Sequence, residues 1–166
     1  MRLMRISWCA LPVVFAALAT AVPVRAEELA LKAPSPSRIL LDLQRREISV
    51  VLDGRMHGSW PVAIGAPKTP TPQGEFSILT KTINPIYVSE KSGQRKELSG
   101  PTSPIGDRYL AFHRNGRGEF GIHGTPWPHW VKTRAAVSLG CVRMLNTHVR
   151  QLFDLVDVGT TLVIRG

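Results

Sequence analysis

Cysteine is scarce in this chain. Two occur in 166 residues, Cys9 and Cys141, too few for a disulfide framework to hold the fold together. Apolar runs of membrane length are also lacking: the one candidate, Cys9 to Val22, is broken by Pro12 and is short for a span. Outside His123, the histidines His57, His113, His129 and His148 show no ligand-like spacing among themselves, so neither a metal nor an organic cofactor is expected. Acidic residues are outnumbered, 12 against 21 Lys and Arg, for a formal charge of +9. A basic excess favours anionic partners such as a membrane surface or a polyanionic wall. Because the basic residues are scattered, with no stripe interleaved with aromatics, nucleic acid is the poorest of these partners. No internal repeat is found.

What is present begins with a leader-like segment. Arg2 and Arg5 make a basic start, the apolar run follows, and Val24-Arg25-Ala26 offers small residues at the two positions a signal peptidase reads. Residues 1–26 are therefore predicted to be a cleaved secretory signal, which implies export to the periplasm or elsewhere in the cell envelope and leaves no membrane span. Cys9 comes before any Leu-x-Gly sequence, so lipid attachment is not expected. Losing Arg2, Arg5 and Arg25 lowers the formal charge from +9 to +6 and leaves one thiol, Cys141. Residues 27–37, with Pro34 and Pro36, read as a short tether. Residues 38–166 are long enough for one domain with a real core.

Within that domain the patterning is mostly that of strands. Arg38 to Leu43 is rich in Ile and Leu, and Ile48, Val50 and Leu52 recur with a period of two. Asp53-Gly54 is a hairpin signal before a strand over His57 to Ile64. Residues 65–74, with three prolines and two glycines, predict an ordered loop. A strand is predicted over Glu75 to Thr80, and 81–106 reads as a long loop that lines a substrate or covers it. Arg108 to His113 and Glu119 to His123 flank an Asn115-Gly116 turn, and Thr161 to Ile164 closes the chain. One helix is predicted, from Val149, Leu152, Phe153 and Val156, with Asn146 or Thr147 as its cap. The expected fold is mostly β, either a β-sandwich or open-barrel-like sheets, with one helix packed near the site.

Two residues carry the chemistry. His123 ends a strand pattern and is followed by Gly124, where the backbone can turn sharply. Cys141 follows Gly140 and precedes the helix by about one turn, where free N–H groups gather. A cysteine nucleophile needs a neighbouring base or cation to favour its thiolate, and imidazole serves. Eighteen positions, Pro126 and Pro128 among them, separate the two, so they meet only if the fold returns the chain on itself. The plainer alternatives are a small buried thiol and a hydrogen-bonded strand-end histidine. Arg143 is either a substrate contact or one half of a structural salt bridge. Trp127 and Trp130 either line a cleft or cover core.

The string Ile122-His123-Gly124-Thr125, its spacing to Ser138-Leu139-Gly140-Cys141-Val142-Arg143-Met144, and the trailing Asn146 resemble the active-site region of the L,D-transpeptidase catalytic domain family. The Asp53-Gly54 hairpin, the Thr69-Pro70-Thr71-Pro72-x-Gly74 loop and Val158-Gly159-Thr160 resemble it too, so the likeness covers nearly all of residues 38–166. Many members carry His where this chain has Leu139, which removes side-chain help from that position. The resemblance implies that Cys141 is the nucleophile, His123 the acid-base group, and the carbonyl of Gly124 the group orienting the ring. Backbone N–H groups of Leu139, Gly140 and Cys141 would hold the oxyanion, and Arg143 would sit near bound peptide. The implied substrate is a peptidoglycan stem tetrapeptide, which loses D-alanine on forming a thioester. The implied acceptor is an amine of another stem or of an envelope lipoprotein. Rival outcomes are an L,D-carboxypeptidase or endopeptidase, in which water resolves the same thioester, and a non-catalytic wall-binding module.

Overall fold

The computed structural model describes residues 37–89, 96–116 and 118–166. The predicted signal, residues 1–26, and all of the tether but Ser37 lie outside the described residues. The elements in chain order are β1 (Arg38–Asp42), β2 (Glu47–Leu52), β3 (Arg55–Pro61), β4 (Ile64–Gly65), β5 (Gly74–Ser77), β6 (Thr80–Ile83), β7 (Tyr87–Ser89), β8 (Lys96–Leu98), β9 (Arg108–Asn115), β10 (Gly118–His123), α1 (Pro128–Lys132), β11 (Ala136–Ser138), β12 (Val142–Arg143), α2 (Asn146–Leu155) and β13 (Thr161–Arg165). The domain is mostly β, as its patterning predicts.

Alternation along the first strands buries Ile39, Leu41, Ile48 and Val50 and turns their neighbours outward. Asp53 and Gly54 both take positive φ, 49° and 74°, the turn that lets two right-twisted strands run back on each other. β1 then pairs in parallel with β13, so the two ends of the domain close one sheet in the order β3-β2-β1-β13-β5. A second sheet runs β12-β10-β9-β6, and two small ones pair β11 with β4 and β7 with β8. Both larger sheets and α2 share one buried cluster, in which Leu110, Phe112 and Ile122 meet Val149 and Leu152. Each such side chain contributes about 1.5–3 kcal/mol by leaving water.

Three sequence expectations are revised. A second helix, α1, occupies part of the stretch between His123 and Cys141, where no helix is predicted; its proline stands at the start, where the missing N–H costs nothing. The 81–106 segment is not structureless, since β7 and β8 pair within it. Strands of three residues are too short to show a period. Asn146 is not the cap of α2: Leu145 takes that place, and the Asn146 side chain donates instead to the Pro101 carbonyl at 3.0 Å.

The proline-rich 65–74 loop is ordered by specific bonds. Buried Thr71 accepts the Gly65 N–H at 2.9 Å through its hydroxyl. Thr69 Oγ1 and the Ala66 N–H both donate to the Ser138 carbonyl, each at 2.9 Å. A Cβ on Gly65 would stand 2.5 Å from the Thr71 nitrogen, so the loop closes only on glycine. Ser138 leads directly to Cys141, and the loop therefore braces the segment that carries this thiol. Thr71→Val keeps the shape but strands the Gly65 N–H, and denaturant unfolding is expected to show a loss of about 1–3 kcal/mol.

Candidate active site

β10 and β12 bring the two chemical residues together. They pair in parallel, Ile122 beside Val142 and His123 beside Arg143, which sets Cys141 just ahead of its strand and close to the end of β10. The Met144 N–H donates to the His123 carbonyl at 2.9 Å, and Ala63 and Arg143 exchange backbone bonds at 2.8 and 2.9 Å. Between Cys141 and α2 lie β12 and two residues without regular structure. The N–H groups beside the thiol are thus those of an extended loop, not of a helix end.

His123 is buried, 3% exposed. Its Nδ1–H donates to the carbonyl of Gly124 at 2.6 Å. A carbonyl can only accept, so the proton sits on Nδ1 and Nε2 keeps its lone pair. The turn at Gly124 is packed against Asn146: a Cβ there would overlap the Asn146 amide oxygen, so a larger residue requires that side chain to move. Tyr109 stacks flat on the imidazole, with ring centroids 5.8 Å apart and planes 9° from parallel. Burial lowers the His123 pKa to about 4, with the Arg143 charge adding to the effect and the Gly124 carbonyl opposing it.

Cys141 is half-buried and is the free cysteine among the described residues. Burial raises its pKa, against the Gly121 N–H, the Tyr109 hydroxyl and the Arg143 charge, which favour the thiolate. With imidazole acidic and thiol basic relative to their ordinary values, the resting pair is neutral. The loop before Cys141 is held by Ser138, whose hydroxyl donates to the Cys141 carbonyl at 2.6 Å and accepts the Gly140 N–H at 3.0 Å. Gly140 takes φ +122°, and a Cβ there would lie 2.5 Å from the Phe120 ring. Its N–H is engaged by Ser138, whereas Leu139, 83% exposed, carries its side chain into solvent.

His123, Cys141, Arg143 and Leu139 line one cavity of about 480 Å3, with Trp127, Trp130 and Tyr87 at its walls. The Arg143 guanidinium stacks over Trp130 at 4.5 Å, and its Nε and Nη1 are buried without a hydrogen-bond partner. Donors left in that state inside a cavity favour an anionic oxygen. Tyr87, Leu98, Pro104 and Ile105 bring the 81–106 segment to the same cavity. No cluster of His, Cys, Asp or Glu among the described residues has the geometry to hold a metal. Ser138, Tyr109 and Asn146 acquire their parts at the site only through the fold. Tyr109 comes to His123 through the pairing of β9 with β10.

The family model of the L,D-transpeptidase catalytic domain matches residues 36–164. The chain is 35% identical over 135 residues to the Bacillus subtilis protein YqjB, named as an L,D-transpeptidase, a match covering 79% of this chain and 72% of the relative. It is 30% identical over 129 residues to YkuD of the same organism, named likewise, covering 78% and 66%. In fold it is similar to an L,D-transpeptidase from Mycobacterium smegmatis, with a TM-score of 0.64 at 21% identity over 78% of this chain and 58% of that one. L,D-transpeptidase 3 of Mycobacterium tuberculosis gives 0.63 at 19%, over 78% and 61%. The chain thus spans less than two thirds of each solved chain, and at these identities the structural likeness bears on the fold alone.

The depressed His123 pKa makes stability depend on pH. The unfolded chain binds this proton near 6.5 and the folded chain only near 4, so its neutral burial is fully tolerated above 6.5 and destabilises progressively as pH falls through that window. The expected loss attributable to His123 is on the order of 3 kcal/mol between pH 7 and 4. Denaturant titration of wild type beside His123→Gln checks it: the difference between the two should shrink toward acid pH, and a constant difference would place the imidazole in water.

Proposed function

Because the chain belongs to the L,D-transpeptidase catalytic domain family, we propose that it is an exported acyltransferase acting on peptidoglycan stem peptides. The observation that carries this is the buried His123, its Nδ1–H tied to the Gly124 carbonyl and its Nε2 left basic, in one cavity with Cys141. This is the arrangement a thiol nucleophile needs from a general base and an orienting group.

The Cys141 sulfur attacks the carbonyl of the diamino acid at the third position of a stem tetrapeptide as His123 Nε2 takes the thiol proton. The carbonyl electrons move to oxygen, and backbone N–H groups of Cys141 and Leu139 receive the oxyanion. Gly140 joins them only if its N–H leaves Ser138. Collapse expels D-alanine, whose amine takes the proton back from His123, and a thioester remains. An acceptor amine then attacks the thioester, giving up its proton to His123. A new amide forms as the C–S bond breaks with its electrons returning to sulfur, and His123 passes the proton to the sulfur to restore the thiol. The thioester preserves the free energy of the old peptide bond, so no nucleotide is needed in the envelope. Arg143 meets a carboxylate of the bound peptide with its unpartnered N–H groups. The acceptor is the amine of a second stem or of an envelope lipoprotein. The leader predicted over residues 1–26 would deliver the protein to that compartment; no helix among the described residues is long and apolar enough to cross a membrane.

Incubating the protein and a Cys141→Ala variant with disaccharide tetrapeptide, and resolving products by mass, tests this reading. Cross-linked dimers with loss of alanine are expected from wild type alone. Tripeptide without dimer would instead assign an L,D-carboxypeptidase, and absence of both product and thioester adduct would leave a wall-binding module. In the same assay Arg143→Gln is expected to raise KM about tenfold with a smaller change in kcat, the size of one lost charge-assisted hydrogen bond. An unchanged KM would return Arg143 to a purely structural role.

A further inference from the structure

Cys141 borders a second cavity, of about 600 Å3, which it shares with Tyr109, Arg114 and Glu119. The reaction proposed above gives none of these three side chains a step. Tyr109 on β9 is the cross-strand partner of His123 on β10, and its ring lies flat on the imidazole. Its hydroxyl passes over Gly121, where a Cβ would come within 2.6 Å of the hydroxyl oxygen. That passage turns the hydroxyl toward the cavity it shares with Cys141 and Glu119, whose charges both act on it. Glu119 is itself held: Arg114 Nε donates to it at 2.6 Å and Arg114 Nη2 lies at 2.5 Å. The Cys141 Sγ–H points to the Glu119 carbonyl, 3.9 Å away.

We propose that Tyr109 is a further residue of the reaction, its hydroxyl donating a hydrogen bond to the Cys141 sulfur as the thiolate forms, with Glu119 as the positioning residue that holds the hydroxyl until then. A hydroxyl has one proton to donate. Of the two acceptors beside it, the Glu119 carboxylate has the stronger claim while the thiol is neutral. When the thiol proton moves to His123 Nε2, the bonding pair stays on sulfur, and rotation about the Tyr109 Cζ–O bond turns the same O–H to the new anion. No bond of Tyr109 breaks. Burial, together with the neighbouring Cys141 and Glu119 charges, holds its pKa well above the ordinary phenol value, so it remains a donor throughout. The ring also serves: the imidazolium that forms faces the π cloud it is already stacked on.

The charged and titratable groups facing Cys141 are Tyr109 from β9, Glu119 and His123 from β10, and Arg143 from β12, with Arg114 behind Glu119 and Tyr87 from β7 on both cavities. Of these, Tyr109 and Glu119 make opposite predictions. Tyr109→Phe keeps the stack and removes the donor. Glu119→Gln removes a negative charge beside the sulfur and weakens the rival claim on the hydroxyl proton.

The test is the pH dependence of Cys141 alkylation by iodoacetamide in the full chain, followed by mass on the Cys141 peptide so that Cys9 does not interfere. Tyr109→Phe is expected to raise the midpoint by about one pH unit and to lower kcat about tenfold, with KM changed less than twofold. Glu119→Gln is expected to lower the midpoint below that of wild type. Packing alone would move stability and leave both midpoints in place, and a wild-type midpoint in Tyr109→Phe overturns the proposal. If Tyr109→Phe does not fold, Glu119→Gln decides: a midpoint at or above wild type overturns it. The proposal rests on Cys141 being the nucleophile of the proposed function. Alkylation needs no peptidoglycan, so failure of the tetrapeptide assay with both shifts intact would remove the substrate and spare the Tyr109 assignment.

Discussion

A parallel pairing two residues long, Ile122 with Val142 and His123 with Arg143, carries the site. Parallel strands cannot be joined by a hairpin, so the chain between them must make a crossover. That crossover, residues 124–141, contains α1 and β11 and returns Cys141 to the end of β10. A ladder this short holds few hydrogen bonds, each worth only about 1 kcal/mol net. The register is instead held by what lies beneath it: Ile122, Val142 and Met144 have no exposed surface, and each contributes about 1.5–3 kcal/mol through burial. Cys141 and His123 thus inherit their relative position from the core, while their polar contacts adjust it locally.

The turn after His123 depends on a second layer. Gly106, at φ +64°, packs against Gly124, and Asn146 fills the space beside both. Buried Asp107, next in the chain, is bound to α2 through Arg150 at 2.7 and 2.5 Å. Such a pair adds little net stability once its desolvation is counted, but it admits one geometry. Its effect is to lock the 100s segment to α2, and so to hold the Gly124 carbonyl where Nδ1 of His123 finds it. The hydrogen bond that sets the tautomer is therefore maintained from a helix on the far side of the turn.

How far this was legible in the sequence depends on the length of the signal. Ile39, Leu41, Ile48 and Val50 announced themselves through a period of two, and Asp53-Gly54 through turn chemistry. The short elements left no period to find: β7 and β8 have three residues each, and α1 has five, the first of them Pro128. Tyr109 was out of reach for a subtler reason. Counting back across the β9–β10 hairpin from the pair Glu119–Arg114 puts Leu110 opposite His123. A bulge between Phe120 and Gly121 shifts the register by one and brings Tyr109 there. Asn146 was misread because asparagine at a helix start usually caps it, whereas here its amide reaches back to Pro101. His123, Gly124 and Cys141 were singled out by residue type and by resemblance, but their contact depended on a crossover that spacing alone could not draw.

A carbonyl in the third place has a chemical consequence. A carboxylate on Nδ1 would stabilise the imidazolium by charge and favour a thiolate-imidazolium pair at rest. The Gly124 carbonyl fixes the ring with a dipole only, and burial outweighs it, so His123 stays neutral down to about pH 4 and Cys141 keeps its proton. In the proposed reaction, ionisation is then deferred until an acyl carbon is in place to accept the sulfur's electrons. Oxidation of cysteine follows thiolate character and exposure. A half-buried neutral thiol is thus protected in the oxidising envelope that the proposed function implies. The same neutrality leaves Cys141 dependent on donors that act only once charge develops, the backbone N–H groups on the acyl oxygen and a hydroxyl on the sulfur itself. Such interactions strengthen between ground state and transition state, and this increase is the part of binding that accelerates a reaction.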